Sequence, residues 1–222
     1  MLEHPLSEQL LRAEIRRSPL AGSIAARWRG RQAEVYPVIK EEAFRDLLKG
    51  IGEDPNRDGL RDTPGRVARA LAEMTRKGRT NPGELIFTTF EAEYDAMVII
   101  RDIPLVTLCE HHLMPITGAV HVGYLPNGRV VGISKIARAV NHYAGRLQIQ
   151  ERLTNQIAEL LWDKLNPNGV GVVIEAQHAC MNLRGAKAAG ATTITSCMLG
   201  AFREDPMVRN EFLALIGRGV AQ

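Results

Sequence analysis

The feature that most constrains this chain is a set of metal-binding residue types in two short, widely separated clusters. Residues 109–112 read Cys-Glu-His-His, and residues 178–180 read His-Ala-Cys. Zinc favours thiolate and imidazole ligands, and a catalytic zinc keeps three protein ligands with a fourth position open. Cys109, His112 and Cys180 would form such a set. The remaining histidines of the two clusters would then be available to move protons near the metal.

The spacing within each cluster indicates how the ligands would converge. Cys109 and His112 are three residues apart, so one helical turn would bring them together and leave His111 about 100° away. His178 and Cys180 are two residues apart, which on a strand places both on one face. A short zinc finger closes its second ligand pair within about twenty residues. Here the third ligand lies far along the chain, which predicts a cleft within a full-sized core. The alternative for each residue taken singly is a buried cysteine or a packed core histidine.

Composition limits the classes of protein that remain. The chain has 222 residues, of which 45% are hydrophobic and 24% charged, as in a globular protein with one core and an added arm. We expect a cytoplasmic protein without a membrane segment, because the N-terminus lacks the apolar core of a signal peptide. Three cysteines are too few for a disulfide framework. A net charge of +3 and 5% aromatic residues do not favour nucleic-acid binding.

Hydrophobic periodicity predicts an α+β fold: an antiparallel sheet with helices on one face, preceded by an N-terminal helical pair. The helical pair covers about 39–51 and 63–78, with Thr63 as N-cap. Strands are predicted at 97–101, 116–124, 129–133, 170–180 and 191–198, and the turn-forming residues 125–128 suggest a hairpin between the second and third. Helices are predicted at 134–144, 148–165 and 207–216.

A second signal is a pair of cations at the start of a predicted helix. Ser134 is a good N-cap, yet Lys135 and Arg138 follow in the first turn, where the helix dipole disfavours positive charge. Two cations on one face beside unpaired backbone N–H groups would form a phosphate cradle. The alternative is that both side chains point into solvent. Arg184, four residues after the last metal-ligand candidate, and Arg66, in the first turn of an earlier helix, could extend the same anion site.

Gln150 and Glu151 open the helix predicted at 148–165. A carboxylate is favoured there by the helix dipole alone, which is the structural interpretation. The functional alternative is that Glu151 accepts two hydrogen bonds from a base edge such as that of guanine, which presents an N–H and an NH₂ side by side.

These motifs occur together, and in this order, in a known family. From about residue 38 to the end, the chain resembles the GTP cyclohydrolase I family. The similarity rests on residues 63–67, 109–112, 132–138, 148–154, 178–181 with 184–185, and 202–206. The resemblance implies an enzyme that converts GTP and water to 7,8-dihydroneopterin triphosphate and formate, the entry step to folate or tetrahydrobiopterin. It also implies the tunnelling fold and a toroidal homodecamer with sites between subunits.

The resemblance also assigns roles and domain bounds. Zinc would be held by Cys109, His112 and Cys180. The acid/base and sugar-handling groups would be His178, His111 and Ser134. Guanine would be anchored by Gln150 and Glu151, and the triphosphate by Lys135, Arg138, Arg184 and Arg66. Residues 1–36 would form a variable arm of unknown role, open to an unidentified regulatory partner. Residues 37–222 would form the catalytic domain, with a helical pair at 37–80 and the tunnelling-fold core at 95–222.

Three other classes compete with this interpretation. A non-catalytic zinc- or nucleotide-binding regulatory module of the same fold would keep the cations and Glu151 but would not need His111, His178 and an open metal position. A zinc nucleoside deaminase needs a Cys-x-x-Cys pair that this chain lacks. The nitrile reductase relatives of the fold use a catalytic cysteine and a nicotinamide cofactor without this Cys-His-Cys set.

Overall fold

The computed structural model describes residues 39–77, 81–82, 85 and 87–217. The predicted arm, residues 1–36, lies outside the described residues. The predicted domain bounds at 37–222, 37–80 and 95–222 therefore stay predictions. Within the described residues, no helix is both long enough and apolar enough to cross a membrane.

The described chain forms seven strands and seven helices. The strands are β1 (Thr89–Glu91), β2 (Val98–Cys109), β3 (Pro115–Leu125), β4 (Arg129–Val131), β5 (Leu147–Gln148), β6 (Gly169–His178) and β7 (Thr193–Gly200). The helices are α1 (Glu41–Gly50), α2 (Thr63–Thr75), α3 (Ile133–Ala144), α4 (Gln150–Leu165), α5 (Ala179–Asn182), α6 (Ala201–Glu204) and α7 (Pro206–Leu215). The predicted α+β class is confirmed.

The main sheet has the strand order β5-β2-β3-β6-β7 in the described part of the chain. Neighbours from β2 to β7 are antiparallel, and the short β5 runs parallel to β2. The long central strands are rich in valine and isoleucine, whose branched side chains suit a pleated surface. Alternate residues of β6, such as Val172 and Ile174, are fully buried in the main core. Two helices pack against the face of the sheet that these side chains form.

Helices α3 and α4 cover one face of this sheet because each carries an apolar stripe at helical spacing. In α4 the stripe is formed by Leu153, Ile157 and Leu161, all with no exposed surface. The helix ends at Asn166, which takes the left-handed conformation common at helix C-termini. The carboxyl ends of β2 and β6 lie at the same edge of the sheet, and α4 begins beside them. The candidate site lies at this edge.

The C-terminal helices pack on the opposite face, which differs from the prediction of helices on one face only. Phe202 and Phe212 are fully buried and stack edge to face, with ring centroids 5.3 Å apart. They can approach the sheet because it carries Gly171 and Gly123 beneath them. A Cβ at Gly171 would lie 2.5 Å from the Phe202 ring. Small residues in the strands thus admit two aromatic rings where a helix would otherwise be held away.

The predicted hairpin between β3 and β4 is wrong. β4 instead pairs with β1, with Phe90 opposite Val130. The turn signal at 125–128 is real, since Gly128 has a φ of 71°. However, both edges of β3 are already occupied, by β2 and by β6. The chain therefore leaves the sheet after the turn, and the Tyr124 hydroxyl accepts a hydrogen bond from the Val131 N–H.

The N-terminal helical pair forms as predicted, with α1 against α2 and Leu48 and Ala68 buried. The N-cap of α2 is Asp62, one residue before the predicted Thr63. Boundary differences of one residue are ordinary for helix ends.

Candidate metal centre and the surrounding site

The first cluster lies in the tight connection between β2 and β3. Cys109 is the last residue of β2, and its backbone pairs with Gln148 of β5. The Leu113 N–H donates to the Cys109 carbonyl at 2.9 Å, which closes one helical turn over residues 109–113. Leu113 then has a φ of 55°, which sends the chain back into β3. The predicted single turn is therefore present without a helix around it.

The second cluster lies at the end of β6, but not wholly on a strand. His178 is the last strand residue and pairs with Ile116 near the start of β3. Cys180 belongs to the short helix α5, so the predicted strand to residue 180 ends two residues early. Because β2, β3 and β6 are adjacent, the register brings the end of β6 beside the turn of the first cluster. One helical step then directs Cys180 towards Cys109.

The three predicted metal ligands converge. Cys109 Sγ lies 3.8 Å from His112 Nδ1 and 3.8 Å from Cys180 Sγ. The ligand atoms of all three residues lie within 4.8 Å of one another. Two thiolates bound at about 2.3 Å to a tetrahedral zinc are about 3.8 Å apart. The donor set and its separation therefore fit zinc, and three donors leave one position for another ligand.

The electrostatics of the cysteine pair agree with a cation site. Burial raises the pKa of Cys180, the neighbouring Cys109 thiol raises it further, and the charge of Arg184 opposes the rise. Two thiols this close cannot both ionise cheaply without a compensating positive charge. A bound divalent cation supplies that charge and favours the thiolates. Among the described residues that were predicted to bind phosphate, Arg184 is the one whose positive charge acts on the Cys180 thiol.

Glu110 connects the ligand turn to helix α4. Arg152 donates to the Glu110 carboxylate, and the Glu110 N–H donates to the Gln148 carbonyl at 3.0 Å. The hydrogen bond from Arg152 lowers the pKa of Glu110. Arg152 also donates to Oε1 of the buried Gln148 at 3.1 Å. The turn is therefore tied to β5 by the backbone and to the start of α4 by the Arg152 side chain.

His178 lies against the start of the same helix. Its Nε2 is 2.8 Å from Oε1 of Gln150. Burial lowers the pKa of His178, and the negative charge of Glu151 opposes that shift. Glu151 itself is exposed in the first turn of α4. The structure thus brings one buried amide, one half-buried imidazole and one exposed carboxylate together near the Cys-His-Cys group.

The predicted cation cradle lies at the start of α3. The N-cap is Gly132, so Ser134 is already the second helical residue and its predicted capping role is wrong. Ser134 and Arg138 are exposed and Lys135 is half-buried. Among the described contacts, none of these three side chains is joined by a hydrogen bond or an ion pair to the Cys-His-Cys group.

Two further predicted residues are exposed. Arg66 forms a surface ion pair with Asp62 at 3.2 Å. The ring of His111 lies edge to face with that of His112, with the two ring centroids 6.3 Å apart. Neither contacts the Cys-His-Cys group through a described hydrogen bond, so their roles stay predictions.

The sequence reasoning missed two contacts of this site. Arg152 follows Glu151 directly, but nothing in its neighbourhood indicates a partner 42 residues earlier in the chain. The contact between Gln150 and His178 spans 28 residues and depends on β6 lying beside α4. For the contact between Arg152 and Glu110, the sequence offers one signal. The two residues have opposite charges, and each is next to a residue of the predicted site.

The fold and the site define an α+β protein with an open Cys-His-Cys group beside a histidine and a carboxylate. The chain belongs to the GTP cyclohydrolase I family, whose model matches residues 40–217. It is 55% identical over 175 residues to a protein named GTP cyclohydrolase 1 from a Synechococcus species, covering 78% of this chain and 76% of that one. A protein of the same name from Thermobifida fusca is 52% identical over 178 residues, covering 79% and 86%.

The chain is also similar to a third relative and to a solved structure. A protein named GTP cyclohydrolase 1 from Rhodopirellula baltica is 49% identical over 181 residues, covering 82% of this chain and 79% of that protein. Among solved structures, the chain is similar to an archaeosine synthase QueF-Like in the apo form, with a TM-score of 0.41 and 20% identity, covering 49% of this chain and 97% of that one. The family match confirms the resemblance that the sequence motifs indicate.

Proposed function

We propose that the protein is a zinc-dependent GTP cyclohydrolase I, which converts GTP and water to 7,8-dihydroneopterin triphosphate and formate. The observation that carries the proposal is the convergence of Cys109, His112 and Cys180 beside His178, in a chain of this family. The product would enter folate or tetrahydrobiopterin synthesis. The reaction fits a cytoplasmic enzyme, as the cysteine content suggests.

Zinc is the metal that the donor set favours, with Cys109, His112 and Cys180 as its ligands. When bound, zinc supplies Lewis-acid activation at the reacting centre. His178 exchanges a proton with the purine ring nitrogen, because its imidazole can both donate and accept near neutral pH. His111, exposed on the turn of residues 109–113, serves the later steps at the ribose together with Ser134.

Recognition of guanine is assigned chiefly to Glu151. A carboxylate accepts two hydrogen bonds, and the guanine edge offers an N–H and an NH₂ side by side. Glu151 is suited to this because it is exposed and its charge acts on His178, so a base bound there would lie near the acid/base group. Gln150 was predicted to share this task.

The triphosphate would be bound by cations that come from three separate segments of the chain. Lys135, Arg138, Arg184 and Arg66 are the candidates. In a toroidal decamer with sites between subunits, some of these side chains would come from a neighbouring chain.

The proposal is tested by incubating purified protein with GTP, with and without a metal chelator, while formate and the fluorescent oxidised pterin are measured. We expect both products in equal amounts from the zinc-loaded protein and neither after chelation. Restoration by added zinc controls for damage by the chelator. A zinc-loaded protein that binds GTP without releasing formate would instead be the non-catalytic binding module.

A further inference from the structure

We propose that Gln150 is a positioning residue, which orients His178 and fixes the proton on Nε2 of its ring, and is not a ligand of guanine. The inference rests on the proposed function, since it concerns how the acid/base histidine of that reaction is held. It reassigns a residue that the sequence reasoning placed on the substrate.

The amide nitrogen of Gln150 faces groups that can only accept. Its Nε2 lies 3.1 Å from the Ile174 carbonyl oxygen and 2.9 Å from the Thr193 carbonyl oxygen. A backbone carbonyl cannot donate. A flipped Gln150 amide would therefore place its own oxygen against both carbonyl oxygens, with no hydrogen between them. The NH₂ group must therefore point at these carbonyls. The amide oxygen is then directed at His178, 2.8 Å from Nε2.

A chain of hydroxyl groups supports the same orientation. Thr154 Oγ1 donates its single proton to the backbone carbonyl oxygen of Gln150 at 2.8 Å. Thr154 and Thr195 hydroxyl oxygens are 2.7 Å apart, so Thr195 is the donor of that pair. Thr195 Oγ1, 3.2 Å from the Gln150 Nε2, is then left to accept, sharing one of the two amide hydrogens with a carbonyl. The donors and acceptors are consistent only with the amide nitrogen facing β6 and β7.

The orientation of the amide settles the tautomer of His178. An amide oxygen only accepts, so Nε2 of His178 must carry a hydrogen to make this contact. In the neutral ring, Nδ1 then holds the lone pair and is the atom that accepts a proton. The second partner of a ring nitrogen commonly selects the tautomer in this way. Gln150 therefore decides which ring nitrogen works as the base.

Burial separates Gln150 from the substrate. Its side chain is 2% exposed, and both its nitrogen and its oxygen have protein partners. Glu151, the next residue, is exposed. Guanine could reach the Gln150 amide only by displacing contacts to two strands and to His178. The two neighbours at the start of α4 thus have different tasks, one holding the histidine and the other available to the base.

The test compares Gln150→Met with Gln150→Glu. Methionine has a similar shape but removes the acceptor for Nε2 of His178. Glutamate, which burial against the Ile174 and Thr193 carbonyls holds in its protonated form, keeps an acceptor oxygen for His178 and one O–H donor for those carbonyls. We expect Gln150→Met to lower kcat about 100-fold with KM for GTP within about twofold of wild type, since misplaced acid/base groups lose rates of this order. We expect Gln150→Glu to retain kcat within about tenfold of wild type. Zinc content should be unchanged in both.

A milder variant keeps the test decisive if either substitution unfolds the protein. Thr195→Val on β7 removes only the hydroxyl that accepts from the Gln150 amide, and we expect a smaller fall in kcat with KM unchanged. A raised KM with normal kcat in Gln150→Met, or in Thr195→Val where the former does not fold, would overturn the inference and return Gln150 to the substrate. Absence of formate release from the wild-type enzyme would instead refute the proposed function.

Discussion

Arg152 of helix α4 donates a hydrogen bond to the carboxylate of Glu110, the residue between the metal-ligand candidate Cys109 and His111. The same guanidinium contacts the side-chain oxygen of the buried Gln148. One side chain therefore links the turn of the Cys-His-Cys group to the helix that carries Glu151. Both members of the pair are partly exposed, so the value of the link is in geometry more than in stability.

Loss of this link should affect the metal site. We expect Arg152→Met to lower kcat about tenfold and to weaken zinc binding, because groups that orient metal ligands typically contribute about 10- to 100-fold in metal affinity or activity. The measurements are steady-state kinetics and zinc content after dialysis. Arg129→Met is the matched control, since Arg129 forms a comparable exposed pair with Glu91 on the small sheet. Equal zinc retention and equal kcat in the two variants would show that the link has no such role.

The sheet face under the C-terminal helices should not tolerate a methyl group at Gly171. An added Cβ would lie 2.5 Å from Phe202 and 3.0 Å from Phe212. We expect Gly171→Ala to lower the free energy of unfolding by about 1–3 kcal/mol, as overpacking does. Gly50→Ala is the control, because nothing lies within 4 Å of its added Cβ. Urea unfolding of both variants checks the prediction, which is contradicted if they are equally stable.

His142 should make stability depend on pH. Burial lowers the pKa of His142 to about 4, and the charges of Arg146 and Lys77 act in the same direction. The unfolded chain binds the proton near its ordinary pKa of 6.5, so the folded state loses stability as pH falls from about 6.5 to about 4. The slope contributed reaches about 1.4 kcal/mol per pH unit.

This dependence is measured by the free energy of unfolding between pH 4.5 and 7. His142→Gln keeps a polar side chain of similar size but cannot titrate, so we expect a flatter dependence in this variant. The side chain is 4% exposed, which leaves little screening by water. Parallel pH curves for the variant and the wild type would refute the assignment to His142.

Much of the fold could be predicted from the local sequence, because helices and strand interiors depend on nearby residues. The stripe of Leu153, Ile157 and Leu161 predicted α4, and its burial is as expected. Strand pairing depends on distant residues, and there the prediction failed: the turn at 125–128 was recognised, but not that β2 and β6 occupy both edges of β3. Similarly, the glycines that admit Phe202 and Phe212 have no local pattern.

The same division holds at the site. Residue type and spacing predicted the convergence of Cys109, His112 and Cys180, because metal ligands are restricted to few residue types. The contact of Gln150 with His178 could not be predicted in this way. It depends on the register of β6 and β7 against α4, which places two carbonyls and a hydroxyl around one amide.

The central claim is that the Cys-His-Cys group holds the zinc on which GTP ring opening depends, and parallel measurement of zinc content and formate release in Cys180→Ser tests it most directly. Cys197→Ser is the matched control, because Cys197 lies apart on β7 and burial raises its pKa to about 11. We expect Cys180→Ser to lose zinc and formate release together, while Cys197→Ser keeps both. Full formate release by Cys180→Ser without bound metal would contradict the account.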